Sequence, residues 1–222
     1  MLTVFLLSPA SCSGKRAQML LDSKTSPLRE RLANGGAPLG EVFTFMSSLY
    51  FRGKLAYANR FGRGYVITPG RGLLPTDILI RVEDLRQMAE VPVDEAEPAF
   101  REPLVRDAIA LGRGIAPDDQ VVLLGSVATE KYVGPLLEVF GDRLLFPATF
   151  AGRGDMSRGG LLLRCAHSGT PLDCVPVLEC RPARAQAAQA SPTEVGSSRE
   201  GAPCRSISYW SDCSAQYRRT TG

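Results

Sequence analysis

The stretch TVFLLS at residues 3–8 is a short, continuous apolar run that ends in a small residue, and QVVLLG at residues 120–125 repeats this pattern. Strands that are buried on both faces of a parallel sheet have this composition. Two similar runs, GYVIT at residues 64–68 and RLLFP at residues 143–147, predict two further strands. Because a loop with small residues follows each run, we expect these loops to gather at the carboxyl ends of parallel strands.

Segments with the apolar spacing of helices separate the predicted strands. Three such segments are residues 41–61, 103–111 and 130–140. In the last of them a proline removes a backbone hydrogen bond, so a second helix that starts at Pro135 is an alternative to one continuous helix. The alternation of strands and helices predicts an α/β fold, a three-layer sandwich with a mostly parallel central sheet.

Length and composition indicate one globular domain followed by a tail. With 222 residues, of which 44% are hydrophobic and 22% charged, the chain can build one core. A closing hairpin predicted over residues 160–178, with its turn at 167–169, completes a domain that spans residues 1–180. Residues 181–222 hold few large apolar side chains, so they cannot offset the entropy cost of ordering, and we expect a disordered C-terminal tail.

The sequence predicts a cytoplasmic protein without a membrane-spanning segment. No apolar run approaches the roughly 20 residues that a spanning helix needs. The apolar start of the chain lacks the basic region that opens a signal peptide. The six cysteines crowd toward the C-terminal end, which favours reduced thiols over disulfides. The formal net charge of +3 permits an anionic partner without requiring one.

The loop after the first predicted strand is the first candidate binding site. SPASCSGKRA at residues 8–17 brings small residues and a lysine to a predicted helix start, where exposed backbone N–H groups favour an anion. It departs from the phosphate-binding loop of nucleotide triphosphatases at Pro9 and Arg16, so we do not expect triphosphatase activity. Cys12 is interpreted as an ordinary thiol, with an activated thiolate as the alternative. The candidate ligand-binding residues of this loop are Ser11, Cys12, Gly14 and Lys15.

A late loop adds basic residues and one carboxylate. FPATFAGRGDMSRGG at residues 146–160 contains Arg153 and Arg158, which are candidate phosphate ligands, and glycines that permit close approach of a ligand. Asp155 is the candidate catalytic acid or base. A simpler interpretation, which we favour, is that this carboxylate pairs with one of the two arginines.

A basic stretch with interleaved aromatic residues lies between these loops. Residues 42–76 contain five lysines or arginines and no carboxylate. Such a stretch is typical of a surface that contacts phosphates and stacks on bases, but the aromatic residues also fit the core side of an amphipathic helix. Arg71, in the turn after the third strand, is a candidate phosphate ligand. Ser126, at the end of another strand, is expected to cap a helix, as Thr129 also could, or to bind a ligand oxygen.

The sequence predicts neither a metal site nor a histidine-dependent triad. His167 is the only histidine, and no Gly-x-Ser-x-Gly elbow precedes it. The side chains that could collect a zinc ion are irregularly spaced and include no CxxC pair: Cys165, His167, Cys174 and Cys180. We therefore expect no metal and no cofactor.

The order of these motifs resembles a family of uncharacterised bacterial proteins. Its members open with a strand and a Ser-Cys-Gly-Lys-Lys-like loop, followed by a Leu-Tyr and Lys-Ala-x-Ala-Tyr-Ala helix and a strand similar to Ile-Leu-Ser-Ala-Lys-x-Gly-Leu-Leu. The counterparts in this sequence are SCSGK at 11–15, Leu49-Tyr50, KLAYA at 54–58 and VITPGRGLL at 66–74. The resemblance covers roughly residues 1–85, with a looser likeness at 123–129, and it departs at an inserted Ser13 and at residues 69–71.

That family is similar in arrangement to the uracil-DNA glycosylase-like α/β fold and to proteins associated with tRNA-guanine transglycosylase. The resemblance implies that residues 11–15, 69–72 and 146–155 line one pocket at the carboxyl edge of the sheet. The water-activating Asp loop and the His-Pro-Ser loop of the glycosylases are absent in their usual form. The resemblance thus implies a fold and a ligand class more than an activity.

We expect a protein that binds a nucleobase, a nucleotide or a nucleic acid, with an aromatic residue stacked on the base. The residues expected at phosphate groups are Lys15, Arg71, Arg153 and Arg158. Any catalysis is expected to be base removal or modification, with Asp155 as the acid or base. The alternatives are an enzyme on a small phosphorylated metabolite, which uses residues 11–15 as its anion site, and a non-catalytic module that binds a partner protein. The sequence does not indicate an oligomeric state.

Overall fold

Eight strands and eight α-helices make up the fold in the computed structural model, which describes residues 2–23, 25–128 and 130–180. The strands are β1 (Thr3–Leu7), β2 (Ala37–Pro38), β3 (Arg63–Thr68), β4 (Gly72–Pro75), β5 (Leu79–Ile80), β6 (Gln120–Leu124), β7 (Leu144–Pro147) and β8 (Cys174–Pro176). The helices are α1 (Lys15–Asp22), α2 (Pro27–Asn34), α3 (Leu39–Phe61), α4 (Val82–Glu90), α5 (Pro98–Gly114), α6 (Glu130–Phe140), α7 (Asp155–Ser168) and α8 (Val177–Cys180). β2 and β5 form a small antiparallel sheet of their own.

The central sheet has six strands in the order β4-β3-β1-β6-β7-β8. Its four inner strands are parallel, and the register places Leu7 of β1 between Val66 of β3 and Leu124 of β6. The edge strands β4 and β8 are antiparallel to their neighbours. The carboxyl ends of the four parallel strands therefore meet at one edge of the sheet.

Helices cover both faces of the sheet. The side chains of β1 from Val4 to Leu7 are at most 3% exposed, and successive side chains of a strand point to opposite faces. Phe5 points to the face covered by α3, because its ring meets Tyr57 of that helix edge to face, with centroids 5.4 Å apart. α7 packs against α3 in the same layer. α5 and α6 pack against each other and cover the opposite face, to which Val4 and Leu6 point.

The predicted α/β class and mostly parallel central sheet are confirmed. The four strands predicted from apolar runs correspond to β1, β3, β6 and β7, and the three predicted helices correspond to α3, α5 and α6. The alternative of a second helix that starts at Pro135 is wrong, because α6 continues through this residue. The missing hydrogen bond falls on the carbonyl of Lys131, an exposed residue of the first turn that water can reach.

The hairpin predicted over residues 160–178 is wrong. Residues 160–168 belong to α7, which ends at Gly169 with a left-handed φ of 73°. When the sequence is read alone, the glycines of this segment favour a loop. Gly159 instead faces α3, since a Cβ atom at this position would lie 2.8 Å from the carbonyl oxygen of Leu49. A contact between two helices, which no local pattern shows, explains this glycine.

Some expectations fall outside the described residues. One is the predicted disordered tail at residues 181–222, and the other is the predicted capping role of Thr129. Within residues 2–23, 25–128 and 130–180, no helix has the length and hydropathy to cross a membrane.

Candidate functional site

A cavity of about 610 Å³ opens at the carboxyl edge of the parallel strands. The chain leaves β1 toward β3, but it leaves β6 toward β7, in the opposite direction across the sheet. The loops after β1 and β6 therefore diverge and open a crevice outside the ends of these two strands. Ligands of open α/β sheets bind at such a position, and the volume lies within the range of small-molecule sites.

Polar groups from several segments form the wall of this cavity. The loop after β1 contributes Ser8, Ser11 and Ser13, and the loop after β6 contributes Ser126. The lysines and carboxylates in the wall are Lys54, Lys131, Glu90 and Asp155. Among the described residues, the wall has as many carboxylates as lysines and no arginine. This part of the cavity is therefore a balanced polar site, not the strongly cationic one that the sequence predicts.

Lys54 of α3 is buried in this wall, with 1% of its surface exposed. Its Nζ donates to the backbone oxygen of Ser8 at 2.8 Å and lies 2.9 Å from the Oγ of the same residue. The ring centroids of Tyr50 and Phe51 lie 4.5 and 4.8 Å from Nζ. Burial lowers the pKa of Lys54 from 10.5 to about 7, and the Asp155 carboxylate partly opposes this shift. Near neutral pH a large share of the amine is therefore uncharged and able to accept a proton.

Ser8 connects Lys54 to a tyrosine of α6. The hydroxyl of Tyr132 accepts a hydrogen bond from the backbone N–H of Ser126 at 3.1 Å. Burial raises the pKa of Tyr132, while hydrogen bonds with Ser126 and Ser8 lower it. Gly125 permits this arrangement, because a Cβ atom there would lie 2.8 Å from Ser8 Cβ and 3.0 Å from the Tyr132 hydroxyl oxygen. A lysine, a serine and a tyrosine thus form one polar network at the end of β1.

The backbone of α3 is shaped around the site. Ser48 interrupts the helix with φ 56° and ψ −131°, a conformation that costs a residue with a side chain on the order of 1 to 3 kcal/mol. One turn further on, Gly53 meets α7 so closely that a Cβ atom would lie 2.6 Å from the Gly159 carbonyl oxygen. The kink at Ser48 and the close crossing of the two helices bring the α3 segment with Tyr50 and Lys54 to the cavity. They bring the start of α7 to the same cavity.

Four of the predicted site residues line the cavity: Ser11, Cys12, Ser126 and Asp155. Pro69 lines it as well, so the three loops that were expected to share one pocket do meet. The Ser126 hydroxyl accepts a hydrogen bond from the backbone N–H of Ala128 at 3.3 Å. Both residues precede α6, which begins at Glu130, so this bond closes a turn of the loop and is not the expected helix cap. Asp155 lies 3.8 Å from Arg158, the carboxylate–arginine pairing that the sequence favours.

Cys12 is not an activated thiol. Its side chain is 4% exposed, and burial raises its pKa to about 12. The thiol therefore stays protonated at neutral pH, and the thiolate alternative is wrong.

Five predicted ligand residues, all of them within the described part of the chain, do not line the cavity: Gly14, Lys15, Arg71, Arg153 and Arg158. Arg71 forms an ion pair of 2.7 Å with Asp84. Arg153 is exposed and donates to the Thr149 carbonyl oxygen at 2.9 Å. Lys15 is exposed in the first turn of α1. These basic side chains are therefore not gathered around one phosphate site.

Arg158 has an internal contact that explains its burial. It is 8% exposed, and its Nε and Nη2 donate to the carbonyl oxygen of Phe150 at 3.3 and 3.2 Å. Its guanidinium carbon also lies 5.5 Å from the centroid of the Phe150 ring. Arg158 connects the segment after β7 to α7. Its guanidinium N–H groups therefore bond within the protein and are not free to bind a ligand.

Three residues at the centre of the site are not among the predicted ligand or catalytic residues: Ser8, Lys54 and Tyr132. Ser8 does lie in the first candidate loop, and Lys54 lies in the basic stretch. A sequence feature does distinguish Lys54, because the residues three and four positions away on either side are apolar or aromatic. These neighbours are Tyr50, Phe51, Tyr57 and Ala58. A lysine on the apolar face of a helix differs from the solvated arginines around it, and helical spacing alone is enough to separate the two.

Within the described residues, no group of three or more His, Cys, Asp or Glu side chains is placed to hold a metal ion. No protein-family model, curated protein or solved structure matches the chain.

Proposed function

We propose that the protein binds a nucleobase, a nucleotide or a nucleic acid, with the base in the cavity between the ends of β1 and β6. The observation that carries this proposal is the cavity wall, in which Tyr50 and Tyr132 stand beside the serine hydroxyls of both loops. Aromatic rings offer a surface on which a base can stack. Hydroxyl groups both donate and accept, so they can match the mixed donors and acceptors of a base edge.

The charges in the wall favour the base over a phosphate-rich group. Glu90 and Asp155 line the same cavity as Lys54 and Lys131, and the two carboxylates repel the negative charges of a polyphosphate. Lys15, the lysine of the proposed anion site at residues 11–15, does not line the cavity. The small phosphorylated metabolite is therefore the less favoured ligand.

We further propose a uracil-DNA glycosylase-like fold and, for any reaction, base removal or modification. The order β3-β1-β6-β7 of the parallel strands, with helices on both faces, supports the first proposal, as does the resemblance of residues 1–85. Asp155 is the proposed acid or base. It begins α7, lines the cavity and has 71% of its side chain exposed, so a ligand can reach its carboxylate.

A thermal-shift screen against nucleobases, nucleotides and sugar phosphates tests this function. We expect nucleobases or nucleotides to raise the melting temperature, because a ligand at 100 times its Kd stabilises the folded state by about 2.7 kcal/mol. Ser13→Trp places a large ring in the cavity and is expected to remove the shift. Met19→Trp is the matched control, since Met19 is 65% exposed on α1 and does not line the cavity.

The other outcomes of the screen decide among the alternatives. A shift with sugar phosphates alone would support the metabolite enzyme, and no shift with any class would support the interaction module; either result contradicts the proposal. Where nucleotides bind, the affinity for a labelled oligonucleotide distinguishes a polymer from a mononucleotide. A steep fall with salt indicates several phosphate contacts, and a shallow fall indicates one.

A further inference from the structure

We infer that Ser8 and Lys54 form a nucleophile and its general base, which cleave an ester or amide bond in a ligand held in the cavity. This inference goes beyond the proposed function, because it does not depend on whether the ligand carries a base. It names a reaction for the network at the end of β1.

The first support is the geometry of the pair. A serine is activated as a nucleophile when a base lies within about 2.6 to 3.2 Å of its oxygen. The Oγ of Ser8 lies 2.9 Å from the Nζ of Lys54, and both residues line the cavity. Ser8 directly follows β1, so a regular strand fixes its position at the crevice.

The second support is the direction of the hydrogen bonds. Nζ of Lys54 donates to the backbone oxygen of Ser8 at 2.8 Å, which holds the amine beside the hydroxyl of the same residue. In its uncharged form the amine keeps a lone pair that can accept the proton of Ser8 Oγ, which lies 2.9 Å away. An uncharged amine is the acceptor that this arrangement requires.

The third support is the environment of the amine. Lys54 is buried, and its pKa falls to about 7, so a large share of the amine is free of a proton under neutral conditions. The ring centroids of Tyr50 and Phe51 lie 4.5 and 4.8 Å from Nζ, so two aromatic rings flank the amine. Because these rings restrict direct attack by the amine, the hydroxyl of Ser8 is the group better placed to reach a substrate.

The chemical step balances without an added reagent other than water. Ser8 Oγ forms a bond to the carbonyl carbon, and its proton passes to Nζ of Lys54. The bond from that carbon to the leaving oxygen or nitrogen then breaks, and the Lys54 ammonium returns the proton to the leaving group. Water repeats the attack with Lys54 as the base, which releases the acid and restores the Ser8 hydroxyl.

The cavity favours a carbonyl over a phosphoryl group as the electrophile. Glu90 and Asp155 in the wall oppose the negative charge of a phosphoryl group, whereas an ester or amide carbonyl is neutral. The backbone N–H groups of residues 11–13 donate no hydrogen bond to another described residue. They are therefore available to the oxygen on which negative charge develops.

Labelling with an alkyl fluorophosphonate tests the pair. The expected reaction forms an Oγ–P bond at Ser8 and releases fluoride, while the serine proton passes to Lys54. We expect one adduct on wild-type protein, located at Ser8 by peptide mass spectrometry, with a rate that rises through neutral pH to a plateau. Ser8→Ala should form no adduct. The labelling rate of Lys54→Met should be lower than that of the wild type by a factor of about 100 or more.

The control is Arg52→Met, which changes an exposed basic residue of the same helix and should label at the wild-type rate. Labelling of folded Lys54→Met at the wild-type rate would overturn the inference and leave Lys54 as a tie between α3 and β1. If Lys54→Met does not fold, the wild-type reaction decides. Three wild-type results would contradict the inferred roles of Ser8 and Lys54. They are the absence of an adduct, an adduct on another serine, and a labelling rate that does not change through neutral pH.

Discussion

Gly159→Ala is expected to lower the free energy of unfolding by about 1 to 3 kcal/mol, the usual cost of an overpacked contact. A Cβ atom at this position would lie 2.8 Å from both the Leu49 carbonyl oxygen and the Tyr50 Cα. Both are backbone atoms of α3, which cannot turn aside as a side chain would. Urea denaturation of the purified variant measures the loss.

Gly160→Ala is the matched control for this prediction. The next glycine of α7 meets only the end of the Arg164 side chain, at 3.5 Å. Alanine is favoured over glycine in a helix by up to about 1 kcal/mol, so this variant should be slightly more stable than the wild type. Equal changes in the free energy of unfolding for the two variants would show that Gly159 does not lie against the backbone of α3.

Lys54→Met is expected to abolish a rise in stability of about 2 kcal/mol that the wild-type protein shows between pH 7 and pH 9. Burial lowers the folded-state pKa of Lys54 to about 7, whereas the lysine of the unfolded chain titrates near 10.5. Between these values the unfolded state binds more protons, so stability increases as the pH rises through 7. Urea midpoints across this range, compared with those of the variant, measure the difference.

The rise in stability with pH is expected to end near pH 9, where two buried cysteines begin to lower it. Burial raises the pKa of Cys12 and Cys174 from 9.0 to about 12, so above pH 9 their unfolded-state thiols lose protons first and stability falls. Arg52→Met, an exposed change on α3, should keep the wild-type pH profile. Parallel profiles of the wild type and Lys54→Met would mean that the amine is solvated in the folded protein.

The parallel core of the fold could be predicted from the sequence because its cause is local. A strand buried on both faces has to be apolar throughout, as the side chains of β1 and β6 are. Helical spacing likewise indicates α3 before any tertiary contact is known. The strand order follows less directly, since pairing partners are distant in the chain.

The segment after β7 shows where local patterns fail. Glycines at 159 and 160 favour a loop, but Gly159 lies within α7 because α3 leaves no room for a side chain. The same contact explains Gly53 on the other helix. Glycine is required in these places by another helix, and one sequence does not reveal which helix that is.

The sequence predicts where the candidate site lies, but it predicts only some of the residues that line it. Loops at the carboxyl ends of parallel strands meet because of the topology, and Ser11, Cys12, Ser126 and Asp155 accordingly share one cavity. The arginines do not join them, since charge along a sequence does not show which residue is already paired. Arg71 with Asp84 is such a case.

The titration of Lys54 tests the central claim, that an amine buried in the cavity wall is available as a base near neutral pH. The chemical shift of its ε-carbon, assigned by the absence of the signal in Lys54→Met, follows the protonation of this one group by NMR. We expect a midpoint near pH 7. A midpoint near the ordinary lysine value of about 10.4 would contradict the claim, and the nucleophile and base pair inferred from it would be lost.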